Sequence, residues 1–244
     1  MAENPVLKIR PFRVAELTWE TADTYTLHLE PQDPADMITF KAGQWVYLHL
    51  MNGDGTVWAR AAYSLASAPE ESGVRLRLGI KLAGDFTKKA SKLMPDDVVG
   101  IQGPFGVFVL PPGEGPIAIF AAGIGITPFR SMIRSLEATG QTRGIVLFYT
   151  NKTVEDTAYF EEFDALAKRA SWFKPVFTLT QDRPSVWPGE SGRINGDMLD
   201  KYIPNLDGYT FMTCGPKSFM EAIKLMLEER GVDTRARLKQ ELFG

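Results

Sequence analysis

Apolar and polar positions alternate in short runs over the first part of the chain and recur with a helical period over the second. Between residues 5 and 111, "LKIRPFRVAELTWE", "TYTLHLE", "QWVYLHLM", "WARAAYSLA", "VRLRLGI" and "VVGIQG" are rich in β-branched and aromatic residues, the composition of half-buried strands. "NGDG", Asn52 to Gly55, is a hairpin turn between the third run and the fourth. About six short strands with few helices predict an antiparallel barrel or sandwich.

The period changes after "LPPGEGP", Leu110 to Pro116, whose Pro and Gly content marks a linker. "PIAIFAA" is a continuous apolar strand, followed by a helix with Phe129, Met132, Ile133 and Leu136 on one face and Gly140 placed to end it. "GIVLFYT" precedes a second helix through "EDTAYFEEFDALAKRA". "KPVFTLT" and "GYTFMT" are further strands, and the last helix carries Phe219, Met220, Ile223, Met226 and Leu227 on one side. Strands alternating with helices predict a doubly wound parallel sheet.

Composition narrows the function classes. The 244 residues are 44% hydrophobic and 23% charged, enough chain for a substantial core without disulfide staples. A net charge of -3 argues against general nucleic-acid binding, which needs a basic stripe. Cys214 is the single cysteine, so neither an internal disulfide nor an all-cysteine iron-sulfur cluster can form, and an iron-sulfur partner must be another chain. His28 and His49 lie at strand-like positions without ligand spacing and read as structural, with no metal expected. The opening "MAENPVLKIR" lacks the apolar core of a signal peptide and no apolar run is long enough to span a bilayer, so a cytoplasmic location and no membrane span are expected.

Candidate chemistry lies at two strand ends of the second half. "FAAGIGITPFRSM" runs from the first parallel strand into Gly123, Gly125 and Pro128, with spacing Gly-x-Gly-x-x-Pro. Glycines at a carboxyl strand end let backbone approach a ligand, and proline suits a first helical turn. "FMTCGPKSFM" repeats the device with Cys214, Gly215 and Pro216. Both ends fall on the edge where doubly wound sheets bind ligands.

With these blocks in order, the sequence resembles the ferredoxin-NADP reductase superfamily, in which a flavin-binding barrel precedes a pyridine-nucleotide domain. The resemblance covers "FKAGQWVYL", "AYSLAS", "GDFT", "GPFG", "GIGITP", "CGP" and the terminal "ELFG". It implies a six-stranded antiparallel Greek-key β-barrel at residues 5–111 and an α/β doubly wound parallel sheet at 115–244. The family's flavin motif is Arg-x-Tyr-Ser, and Tyr63 and Ser64 match it. Its arginine falls on Ala61, with Arg60 one residue early. A one-residue shift reverses the face of a strand, so either a bulge re-aims Arg60 or another group supplies the charge for the flavin phosphate.

By the same resemblance, Tyr63, Ser64, Leu65, Ala66, Gly84, Phe86, Thr87 and Phe243 contact the flavin. Gly123, Gly125, Thr127 and Pro128 hold the nucleotide pyrophosphate, and Cys214, Gly215 and Pro216 approach the nicotinamide. Thr180, Asp182 and Arg183 in "TLTQDR" select between NADH and NADPH, with NADH favoured because Asp182 accepts a ribose hydroxyl and repels a phosphate. Ser64, Cys214 and Glu241 are the residues nearest the chemistry, as positioning groups more than acid-base catalysts. The cofactor expected is FAD, with FMN as the alternative, and NADH or NADPH as co-substrate.

The function implied is a flavin-dependent NAD(P)H oxidoreductase, passing hydride from nicotinamide to flavin and then single electrons to a separate acceptor protein such as ferredoxin or an oxygenase component. Lys88, Lys89 and Lys92 in "TKKASK" are a candidate basic rim for an acidic carrier. Two other readings stay open: a reductase for free flavin or ferric chelates, and a regulatory nucleotide-binding module with a degraded flavin site. The sequence carries no sign of oligomeric state.

Overall fold

The computed structural model describes residues 5–71, 75–181 and 187–242. They form two compact units.

The first unit holds six antiparallel strands: β1 (Arg10–Trp19), β2 (Thr24–Pro31), β3 (Trp45–Met51), β4 (Val57–Ser64), β5 (Leu76–Lys81) and β6 (Val98–Phe105). Their order is β4-β3-β6-β1-β2-β5, and a bridge between Leu65 and Leu78 brings the two outer strands together. Insertion of β6 between β3 and β1 is the long return of a Greek key, as expected. Alternation places Phe12, Val14, Leu27, Val46, Leu48 and Ile101 inside, all fully buried. A short helix, α1 (Asp85–Ala90), lies between β5 and β6. Tyr25 reaches it from β2, its hydroxyl donating to the Thr87 carbonyl at 2.7 Å.

The helix α2 (Thr127–Ala138) groups with this barrel, although the chain enters it from the first strand of the parallel sheet. Its attachment is polar and buried. Arg130, 3% exposed, donates to the Ala66 carbonyl at 2.6 Å, and the Ser131 hydroxyl donates to the Ser67 carbonyl at 2.7 Å. Arg134 donates to Glu71 at 2.6 Å. The segment running on from β4 is therefore tied to α2 by hydrogen bonds.

The second unit is an all-parallel sheet of β7 (Ile117–Ala122), β8 (Ile145–Asn151), β9 (Phe173–Leu179), β10 (Glu190–Ser191), β11 (Thr210–Gly215) and β12 (Leu238–Leu242), in the order β10-β9-β8-β7-β11-β12. Order reverses between β7 and β11, so their carboxyl ends flank the topological switch point. The helices are α3 (Phe160–Arg169), α4 (Gly196–Tyr202), α5 (Lys217–Glu228) and α6 (Thr234–Arg237). Phe120 and Phe148 stack at 5.0 Å within a core shared with Phe211, Ile223 and Leu227. Arg143 fixes the Pro- and Gly-rich linker by donating to the Pro111 carbonyl at 2.8 Å and the Gly115 carbonyl at 2.6 Å.

Two elements differ from the periodic reading. The second helix starts at Phe160 rather than near Glu155 because Thr153 diverts the backbone first: its hydroxyl accepts from the Asp156 N–H, and the Val154 carbonyl accepts from the Thr157 N–H. Tyr159 then adopts left-handed φ of 59°. The terminal "LKQEL" is β12, a sixth parallel strand concealed by the absence of any β-branched residue; pairing with β11 decides its conformation.

Candidate functional site

The carboxyl edge of the parallel sheet is held together by backbone contact. After β7 the chain makes a 3-10 turn, Gly123–Ile126. A Cβ on Gly125 would lie 2.3 Å from the Cys214 carbonyl oxygen and 3.0 Å from the Gly215 Cα, so only glycine lets the two strand ends meet. The second glycine of the motif is thus required by the protein's own packing. Gly123 is different: it has φ of 52° and open space where a Cβ would be.

Several polar groups at this edge lack protein partners. Thr150 Oγ1 and Asn151 Nδ2, at the end of β8, and Thr213 Oγ1, at the end of β11, are buried without a hydrogen bond among the described residues. Asn151 is 8% exposed and Thr213 fully buried. Buried polar atoms are nearly always satisfied, so orphans gathered at strand ends fit a polar ligand such as a nucleotide. Thr150 and Asn151 belong to no motif; their signal in the sequence is a polar pair closing an otherwise apolar parallel strand.

Cys214 and Glu241 come together here, as register partners on β11 and β12. Burial raises the Cys214 thiol well above its ordinary value, and the Glu241 charge raises it further. The sulfur therefore stays protonated and is no thiolate nucleophile. Gly215 packs against Ala122 and Phe219, and Pro216 caps α5. Thr127 and Pro128 are buried in the first turn of α2. Thr180 is exposed and its hydroxyl donates to the Asn151 carbonyl at 3.1 Å. Asp182, Arg183 and Phe243 lie outside the described residues.

On β4, register separates the two faces cleanly. Ala61 and Tyr63 oppose Leu48 and Val46, which are in the barrel core, whereas Arg60, Ala62 and Ser64 oppose His49, Tyr47 and Trp45. The strand does have a bulge, but it falls at Trp58, which is the extra residue between the Leu50–Ala59 and Met51–Val57 pairs. From Ala59 to Ser64 pairing is regular, so Arg60 is not re-aimed. It stays on the Ser64 face with its guanidinium 4.3 Å from the Tyr47 ring centroid and donating to Gln102 at 3.3 Å. Gln102 also contacts His49 at 3.2 Å and donates to the Leu7 carbonyl at 2.8 Å.

The Tyr63 face carries an aromatic row. Phe86 of α1 stacks with Tyr63 at 6.1 Å and with Trp58 at 6.2 Å. Burial pushes the Tyr63 hydroxyl up to about 12, and it has no hydrogen-bond partner among the described residues. A half-buried phenol beside two alanines fits a flat, polar-edged ligand. Ser64 is 3% exposed, and Leu65 and Ala66 are fully buried, with the Ala66 carbonyl already taken by Arg130. Thr87 is committed locally: its hydroxyl accepts from the Ala83 and Gly84 N–H groups and donates to the Gly84 carbonyl, using its whole hydrogen-bonding capacity.

An antiparallel barrel with this aromatic face, and a parallel sheet with a polar switch point, fit the two-domain plan of a flavin- and pyridine-nucleotide-dependent oxidoreductase, the class to which the family matches assign the chain. Residues 11–110 match the oxidoreductase FAD-binding domain family and residues 119–225 the oxidoreductase NAD-binding domain family. The chain belongs to the ferredoxin-NADP reductase family, and is an FAD- and NAD-binding reductase within it. It is 32% identical to ferredoxin--NADP reductase B of Sorangium cellulosum, over 82% of this chain and 78% of that protein. It is 26% identical to a flavohemoprotein of Deinococcus radiodurans, over 96% of this chain but only 59% of that longer protein. Among solved structures, the FAD/NAD-binding domain of nitric oxide dioxygenase from Vibrio cholerae superposes with a TM-score of 0.86 at 22% identity, covering 96% of this chain and 98% of that one. No helix of the described residues is long and apolar enough to cross a membrane.

Proposed function

We propose that this reductase takes hydride from NADH or NADPH and delivers single electrons to a separate protein carrier, a ferredoxin or the ferredoxin-like component of an oxygenase. The observation that carries the reading is the switch-point edge, where Gly125 closes two strand ends together and orphaned Thr150, Asn151 and Thr213 offer hydrogen bonds to a nucleotide. The likeness to ferredoxin--NADP reductase B over 78% of that protein's length supports the acceptor class.

When bound, FAD supplies the conversion of a two-electron hydride donor into a one-electron donor. The chain's own residues bind and orient. Gly123 leaves backbone room for the pyrophosphate and Gly125 holds the two strand ends together beside it, with Thr127 and Pro128 following along the chain. Cys214, buried and kept neutral, stands without charge beside Gly215 and Pro216, the segment assigned to the nicotinamide. Glu241, its register partner, supplies polarity there. Tyr63 offers the flavin a ring and a hydroxyl, and Ser64, one residue on, is the hydroxyl near N5. Preference for NADH over NADPH rests on Asp182.

The test is direct. Purified protein should release FAD on denaturation, be bleached anaerobically by NADH faster than by NADPH, and reduce a [2Fe-2S] ferredoxin faster than free flavin or ferric chelate. A colourless protein that no flavin reconstitutes overturns the reductase reading in favour of a regulatory module. Faster turnover of ferric chelate overturns the carrier alone.

A further inference from the structure

The structure removes the expected cation from the flavin face and places another there. Ala61 has no charge to offer, and Arg60 is held on the opposite face of β4 by Tyr47 and Gln102. Thr87 spends its hydroxyl on its own turn, and α1 is six residues long. Just before β5, Arg75 pairs with Glu30 at 2.6 Å, and at its end Lys81 pairs with Asp23 at 2.9 Å; Arg77 is the register partner of His28, on the strand face opposite the core residues Leu76 and Leu78.

Lys89 is the cation that stands at the aromatic row. Its ammonium lies 4.2 Å from the centroid of Trp58, the residue the β4 bulge re-aims toward Phe86. It thus ends the row Tyr63, Phe86, Trp58, and Ala61 shares the strand face of Tyr63. No carboxylate pairs with it among the described residues. An ammonium set over an aromatic face is attracted to it electrostatically, and its N–H donors keep their capacity to bond an anion.

We propose that Lys89 supplies the positive charge that pairs with the phosphate of the bound flavin, replacing the arginine absent at Ala61. The bulge at Trp58 and the lysine act as one device: the indole fixes where the ammonium stands, and the ammonium meets the anion. This assignment rests on the flavin reading above. Arg60 has no part in it.

Reconstitution of the flavin-free protein with riboflavin, FMN and FAD, followed by flavin fluorescence, tests the assignment, because only the last two carry phosphate. Lys89→Gln should weaken FMN and FAD binding about tenfold or more, the usual scale for losing a charge-assisted contact, and leave riboflavin binding unchanged. Lys89→Arg should restore phosphate-dependent affinity, and Lys88→Gln, a neighbouring exposed lysine, should match the wild type. The advantage of wild type over Lys89→Gln should shrink with added salt. Equal affinity of Lys89→Gln and wild type for FAD overturns the proposal while leaving the flavin reading intact. So does an equal loss for riboflavin, which would make Lys89 a support for Trp58 only, or a phosphate-dependent loss in Arg60→Gln. Wild-type protein that binds none of the three flavins overturns the flavin reading and this proposal together.

Discussion

The two ligand edges are built by different means. At the switch point of the parallel sheet the backbone itself is in contact, with Gly125 against Cys214 and Gly215, and Thr150 Oγ1, Asn151 Nδ2 and Thr213 Oγ1 have no hydrogen-bond partner among the described residues. Along β4 and α1 the backbone is roomy, with nothing within 4 Å of a Cβ on Gly84, and most polar groups are already used inside the protein. A site made of backbone tolerates little change in sequence. A site made of side chains on a strand can move its charge from one element to another.

The sharpest way to break this contrast is a pair of alanine substitutions. Gly125→Ala must push a methyl into a carbonyl 2.3 Å away, with no flexible side chain to yield, so it should destabilise by about 3 kcal/mol or more and abolish nucleotide binding. Gly84→Ala has open space and an extended φ of 169° that any residue adopts, so it should cost under about 0.5 kcal/mol. Thermal melting of both variants reads the difference, and equal melting temperatures would end the distinction.

A second effect of similar kind lies in α2. Arg130→Met removes a buried guanidinium that satisfies the Ala66 carbonyl and faces Glu71, and should cost about 3 kcal/mol in urea unfolding. The acid side offers an independent check. Burial alone would raise Glu71, yet Arg130, the Ala68 N–H and Arg134 together hold its carboxyl below the ordinary 4.5. A carboxylate depressed in the folded state contributes stability above its unfolded value and loses it as pH falls through the folded one. Stability of the wild type should therefore drop on acidification below about 4.5, and Glu71→Gln should flatten that limb. An unchanged acid limb would place the dependence on other carboxylates.

The smallest effect expected is that of Arg60→Ala. Its cation-π contact and a 3.3 Å hydrogen bond are worth about 1 kcal/mol together, in stability and not in flavin affinity. Isothermal denaturation beside a flavin titration separates the two.

Much of the architecture is legible in the order of elements. Alternating runs mark the six barrel strands, and the helical faces of Phe129 and Phe219 mark two helices of the second half. The helix through "EDTAYFEEFDALAKRA" is shorter than its periodicity predicts, because the hydrogen bonds of Thr153 compete with helix only in a particular backbone path. β12 has no periodic signal of its own, because its conformation comes from its neighbour. At the site, the Gly-x-Gly turn and the Cys-Gly-Pro end are visible because backbone constraints force residue type. The free hydroxyl of Tyr63, the orphaned Thr150 and Asn151, and the aromatic row are not, since each depends on what stands opposite.

The sequence by itself determined the two-part plan, because periodicity is a local property of the chain, and its resemblance to the reductase family implied the cofactor class and posed the problem at Ala61. Only the tertiary structure decided which face Arg60 occupies, where the bulge falls, and that Cys214 meets Glu241. These depend on register, and a slip of one residue exchanges the two sides of a strand.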